Sequence, residues 1–191
     1  MVWSCLVSIL PGMAQTEKLT DYVNPFVGTD GYGNVYPGAQ IPFGEIQISP
    51  DTDSRFYDAA SGYKYNHLTL MGFSLTHLSG TGIPDLGDFL FIPGTGEMKL
   101  EPGTHEDPDQ GYRSRYSHDK EWASPNYYAV ELADYGVKAE MTSGVRSGMF
   151  RFTYPESDNA FIMIDMNHTL WQSCEWSNLR MINDSNITGY K

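Results

Sequence analysis

Phe150-Arg151-Phe152-Thr153-Tyr154, followed after a polar break by Phe161-Ile162-Met163-Ile164, decides the fold class. In the first stretch apolar and polar residues alternate, which puts Phe150, Phe152 and Tyr154 on one face of an extended chain and Arg151 and Thr153 on the other. The second is apolar on both faces, as expected of a strand in the middle of stacked sheets. The same two patterns recur outward from this pair. Glu45-Ile46-Gln47-Ile48-Ser49, Phe73-Ser74-Leu75-Thr76 and Val137-Lys138-Ala139-Glu140-Met141-Thr142 alternate, whereas Phe89-Leu90-Phe91-Ile92 is apolar throughout. Turn signals fall at Gly80-Thr81-Gly82, Pro93-Gly94-Thr95-Gly96, Pro102-Gly103 and Asn183-Asp184-Ser185-Asn186, and hardly any segment has helical period. These patterns predict an all-β protein, an antiparallel β-sandwich.

Composition agrees and narrows the partners. The 191 residues include 13 Tyr, 19 Gly and 11 Pro, a mix that favours strands and tight turns. With 40% hydrophobic and 14% aromatic residues the chain can bury a sizeable core, so its acidity is not that of a disordered tail. A formal net charge of −12 repels phosphate backbones, which argues against a nucleic-acid partner. The two cysteines, Cys5 and Cys174, form no disulfide framework or thiol-rich metal site.

Residues 1–15 read MVWSCLVSILPGMAQ, an apolar run followed by Gly12-Met13-Ala14, a small-x-small cleavage pattern. They are read as a partial signal peptide, which implies export to a periplasmic or extracellular compartment. A lipid anchor at Cys5 is the alternative, although Trp3 stands where a small residue is expected. No stretch approaches the roughly 20 apolar residues a transmembrane helix requires. At the other end Ile187-Thr188-Gly189-Tyr190-Lys191 looks like the returning strand of a hairpin, so the expectation is a truncated, incomplete sandwich spanning residues 19–191.

Three clusters stand out as candidate sites. The Gly- and Pro-rich run from Asn24-Pro25-Phe26-Val27-Gly28 through Thr29, Asp30, Gly31, Tyr32, Gly33 and Asn34 to Ala39, continuing to Pro42-Phe43-Gly44, lacks the strand-to-helix context and closing Lys-Ser/Thr pair of a phosphate loop. It reads as a long irregular loop, of a kind that is often functional when ordered. Phe56-Tyr57-Asp58-Ala59-Ala60-Ser61-Gly62-Tyr63 sets aromatic rings beside a carboxylate and a hydroxyl, the pairing that stacks on a sugar's C–H face and accepts its hydroxyl protons. Strand-packing tyrosines are the plainer explanation of the same residues. His77 shares a strand face with Phe73 and Leu75 at the mouth of a Ser/Thr/Gly turn, where it could donate to a ligand or bond a backbone carbonyl. Asp85 and Asp88 adjoin Pro or Gly at a turn, where Asp commonly bonds local N–H groups, which disfavours a glycosidase acid and base there. The five histidines have no zinc-type spacing, and Asp51-Thr52-Asp53-Ser54-Arg55 starts like a calcium loop but is broken at Arg55.

Together these stretches resemble the N-terminal region of glycoside hydrolase family 92, the calcium-dependent exo-acting α-mannosidases. The likeness rests on Tyr22-Val23-Asn24-Pro25-Phe26-Val27-Gly28-Thr29, Tyr36-Pro37-Gly38-Ala39 with Pro42-Phe43-Gly44, Ser61-Gly62-Tyr63, and Gly72-Phe73-Ser74 followed by Thr76-His77-Leu78-Ser79-Gly80-Thr81-Gly82. Ala123-Ser124-Pro125 and Asp134-Tyr135-Gly136-Val137-Lys138 continue it in order. The resemblance implies an N-terminal β-sandwich packed on a catalytic (α/α)6 barrel absent from this chain. It implies that the acid, the base and the Ca2+ ligands lie in that C-terminal catalytic domain, so no catalytic and no metal residue is expected here. The intact parent would release terminal α-linked mannose from glycans, with α-1,2 linkages and inversion expected. Tyr57 stands where the family often has Trp and is similar in role to a platform for mannose. With Asp58, His77, Thr29, Asp30, Gly31 and Tyr32 it makes up the expected sugar contacts. Tyr32 and Asn34 replace common histidines, and Leu75 replaces the first histidine of a His-Thr-His triplet. A self-standing carbohydrate-binding module or lectin is the alternative function.

Overall fold

The computed structural model describes residues 17–54 and 57–191, without the side chain of Asp58. The signal-peptide reading of residues 1–15, and Cys5 with it, therefore lie outside the described residues. Twelve strands follow in order: β1 (Ser49–Asp51), β2 (Thr69–Leu70), β3 (Gly72–Ser74), β4 (Leu90–Thr95), β5 (Ser114–Arg115), β6 (Glu121–Ser124), β7 (Tyr127–Leu132), β8 (Val137–Ser143), β9 (Gly148–Thr153), β10 (Ala160–Asp165), β11 (Asn178–Asn183) and β12 (Asn186–Tyr190). Short 3-10 turns are the helical elements among them.

Two four-stranded antiparallel sheets, ordered β1-β3-β4-β10 and β6-β7-β8-β9, form the sandwich. Alternation along β7 and β8 sends Tyr128, Val130, Leu132, Val137, Ala139 and Met141 inward, where they meet Phe73 of β3 and Ile48 in one core. Phe150 and Phe152 of β9 stack on each other at 5.4 Å and lean on Phe73, so the alternating stretch at 150–154 does bury its aromatic face. One charged group belongs to this core: Glu121 accepts hydrogen bonds from Tyr63 at 3.0 Å, from Tyr128 and from Nδ1 of His118. Three donors around one buried carboxylate meet the condition under which such a charge is tolerated.

Two expectations need correction. Phe161-Ile162-Met163-Ile164 lies in β10, an edge strand rather than a central one, and Ile162 is half exposed. Apolar residues on both faces do not by themselves fix a strand's place in the sheet. The Pro93-Gly94 signal is not a turn either, because β4 continues to Thr95 while pairing Pro93 with Ile162 and Gly94 with Phe161. The Phe161 ring lies over Gly94, where a Cβ would stand 2.4 Å from it, and the turn waits for Gly96 at φ +82°. The hairpin read at 183–186 is present, joining β11 to β12.

Phe73, fully buried between the sheets, is the most stringent test of this packing. Phe73→Ala is expected to lower unfolding stability by about 3–5 kcal/mol, measured by urea denaturation. A loss below about 1 kcal/mol would contradict its position in the core.

Candidate functional site

The irregular loops gather around the end of β1, and the group that gathers them is Asp51. This carboxylate has no solvent exposure. Its Oδ1 accepts from Nε2 of His77 at 2.8 Å and its Oδ2 from Nε2 of His168 at 2.7 Å. Nδ1 of His77 faces the Gln47 carbonyl at 2.7 Å, so both nitrogens of the ring are engaged. Burial alone pushes the Asp51 carboxyl up. The charges and hydrogen bonds of His77 and His168 together outweigh burial and hold it well below the usual carboxylate range.

Gly62 closes over this cluster. It sits at φ +82°, and a Cβ on it would stand 2.1 Å from Asp51 Oδ1 and 3.3 Å from the His77 ring, so both conformation and space demand glycine. Its carbonyl accepts from Thr52 N–H at 2.7 Å. The 59–63 segment is thereby pinned, with the 3-10 turn Tyr57–Ala59 at its edge.

The neighbouring loops are tied through backbone groups. The Asn34 carbonyl accepts from Gly80 N–H at 2.6 Å and from the Ser61 hydroxyl. The Thr29 carbonyl accepts from Tyr65 N–H at 2.9 Å, and Lys64 donates to the Gly31 carbonyl with its ammonium 5.8 Å from the Tyr32 ring centroid. The Tyr57 hydroxyl lies against Gly82, where a Cβ would stand 2.7 Å from it. Three loops, at 28–34, 57–62 and 77–86, therefore make one rim.

The structure sorts the expected contacts. Tyr32 is 84% exposed and Tyr57 56%, and Asp30 and Gly31 are exposed beside them. Thr29 is buried, its hydroxyl donating to the Phe26 carbonyl at 2.8 Å, so its role is to hold the loop. Asp58 belongs to the Tyr57–Ala59 turn, but its side chain lies outside the described residues. His77 is corrected: its side chain is wholly buried and both nitrogens are occupied, so it stands behind the rim rather than on it. Asn34 takes φ +49°, which Asn tolerates, and its buried Oδ1 has no hydrogen-bond partner among the described residues. Leu75 packs against the core.

Asp51 and His168 are the residues that sequence reasoning missed as a site. Asp51 was visible only as the start of a broken calcium loop, and nothing in the spacing joins residue 51 to residue 168. Asp53 of the same run is buried and bonded by His105 Nε2 at 3.2 Å. Among the described residues no group of three or more His, Cys, Asp or Glu is placed to hold a metal ion. As the sequence anticipates, Asp85 accepts from Leu86 N–H at 2.8 Å, whereas the Asp88 carboxylate meets side chains instead, accepting from the Thr76 hydroxyl and pairing with Lys191 at 2.9 Å. The titrations of Asp51, Asp109 and Glu140 are displaced downward. Hydrogen bonds from Arg151 lead the causes at Glu140, which is pushed down to about 2. A glycosidase general acid needs the opposite, a carboxyl kept protonated at working pH.

The described residues thus form an antiparallel sandwich with one rim of exposed aromatic rings. The pattern described as the glycosyl hydrolase family 92 N-terminal domain matches residues 22–191, and the chain belongs to that family. It is similar to the family GH92 alpha-mannosidase BT3965 from Bacteroides thetaiotaomicron, with 99% identity and a TM-score of 0.90, over 91% of this chain and 23% of that one. BT3965 has also been solved in complex with mannoimidazole. The family GH92 inverting mannosidase BT2199 of the same organism shares 27% identity at a TM-score of 0.63, over 78% of this chain and 20% of its own. A protein of Arthroderma benhamiae, described as an uncharacterized secreted glycosidase, is 30% identical over 139 residues, 72% of this chain and 17% of that protein. The chain thus spans less than a quarter of the length of each.

The Asp51 cluster fixes a pH dependence. Because the folded carboxyl titrates below its unfolded value of about 3.9, the stability it contributes is fully present above that value and is lost as pH falls through the folded one. Asp51→Asn is expected to be less stable at pH 7 and to lose less further stability than the wild type as pH falls below about 4. Thermal melts of both proteins from pH 7 to pH 2.5 check this, and parallel curves would contradict it.

Proposed function

We propose that this chain is the N-terminal sandwich of an exported exo-α-mannosidase and that its rim forms one wall of the pocket for terminal mannose. The observation that carries the reading is the exposed Tyr57, held against Gly82 beside the tied loops 28–34 and 77–86, in a chain 99% identical to an alpha-mannosidase over 91% of its length. An aromatic face at the rim stacks on the C–H face of a sugar, while the hydroxyl edge faces Asp30 and the backbone of the neighbouring loops.

The chemistry is assigned outside these residues. Inverting hydrolysis needs two carboxyl groups about 6.5–9.5 Å apart with a water between them, one of them protonated. The similarity to BT2199, an inverting mannosidase, supports that stereochemistry for the parent. Calcium, where the parent uses it, is assigned to ligands outside this chain, since the described carboxylates at the rim are engaged by histidines, hydroxyls and backbone. Export is supported by the apolar start at residues 1–15 and by the secreted glycosidase to which the chain is similar. Mannose-containing glycans and the parent's own catalytic domain are the partners on this reading.

Two measurements test it. The 191-residue chain alone is expected to release no phenol from aryl α-mannosides; turnover abolished by Asp85→Ala or Asp88→Ala would place catalysis here instead. In the parent, Tyr57→Ala is expected to lower kcat/KM on α-mannosides about tenfold through loss of ring stacking, with unchanged thermal stability. An unchanged kcat/KM would remove Tyr57 from the pocket.

A further inference from the structure

On the other side of Asp51 lies a cleft of about 450 Å³ that the rim does not include. His168 lines it, and the chain on either side of His168 builds it. Leu170 is fully buried, its N–H donating to the Leu86 carbonyl at 2.8 Å and its side chain filling the space over Gly87. With Leu170 turned in, the next residue is turned out. Trp171 takes φ +75°, its N–H donates to the Ser54 carbonyl at 2.8 Å, and its side chain is left 59% exposed.

Each of these features is unfavourable in isolation. A left-handed backbone strains a bulky aromatic residue, and an exposed indole leaves a large apolar face in water. Strain of this kind collects where a ligand uses it. The polar wall opposite is ordered. Asp165 accepts from the Tyr112 hydroxyl at 2.9 Å through Oδ2 and from Asn167 N–H at 2.8 Å through Oδ1. One bond to each oxygen fixes the carboxylate's orientation and leaves each a second acceptor direction. Asn167 and Gln172 add exposed amides.

We propose that this cleft is a second sugar-binding position, with the Trp171 indole as platform and Asp165, Asn167 and Gln172 as hydroxyl partners. Its volume falls in the range of small-ligand sites, and a hexose offers the matching pair of surfaces, an apolar C–H face and a hydroxyl edge. Ser54, which holds Trp171, precedes Tyr57 by three residues, and His168 and His77 grip the two oxygens of the same Asp51. The cleft is therefore tied to the rim through the buried Asp51, and its occupant is a sugar unit of a glycan. That this unit belongs to a mannose-containing glycan rests on the function proposed above; the cleft itself does not.

Calorimetric titration of the chain with α-mannobiose and, separately, with cellobiose tests the two ideas apart. Trp171→Ala is expected to weaken α-mannobiose binding about tenfold, Trp171→Phe to stay within about threefold of wild type, and Asp165→Asn to weaken it with an unchanged melting temperature. Equal mannobiose affinity in the wild type and Trp171→Ala would overturn the cleft and leave the mannosidase reading standing. Loss as great in Trp171→Phe as in Trp171→Ala would also overturn it, since a ring is retained. Cellobiose binding that depends on Trp171, without mannobiose binding, would uphold the cleft and count against mannose. No binding of either disaccharide to the wild type would overturn the cleft.

Discussion

A carboxylate removed from water has to be met by charge and hydrogen bonds, or it neutralises itself. Asp51 is met by two histidines from later in the chain, one 26 residues and the other 117 residues on. That single requirement fixes the depth of the loop after β3 and of the segment after β10, and through Gly62 it fixes the loop between β1 and β2. Each of the three carries surface residues that a ligand could reach. The cluster is buried, yet it sets where Tyr57, the 77–86 loop and Trp171 stand. The geometry of the rim is therefore a property of the core beneath it.

Fold class was legible in the sequence because it rests on local alternation, and alternation survives wherever one face of a strand is buried. β8 and β9 show this: Val137, Ala139 and Met141 point into the core and Phe150 and Phe152 pack on it. Lateral position was not legible, because an apolar run such as Phe161-Ile162-Met163-Ile164 has no local mark that distinguishes a central strand from an edge. Only the pairing partners of β10 decide it, and those are contacts between residues 65 and more positions apart. The same limit explains the site. Tyr57 and Tyr32 could be picked out by composition, whereas the Asp51–His168 contact leaves no trace in spacing. His77 was found by its motif but placed on the wrong side of the surface, since a motif shows that a residue matters and not which way its ring faces.

The acid–base character of the domain follows from how its carboxylates are held. Asp51 is gripped by imidazoles, Glu140 by the Arg151 guanidinium, and Asp109 by that of Arg115. Each partner is a cation or a donor, and each favours the ionised form. A group held in this way can orient a hydroxyl or anchor a loop, but it has no proton to give a leaving oxygen near neutral pH. Raising a carboxyl's titration takes an apolar surrounding or a like charge close by. Any acid–base step would therefore have to draw its proton from a group other than these three.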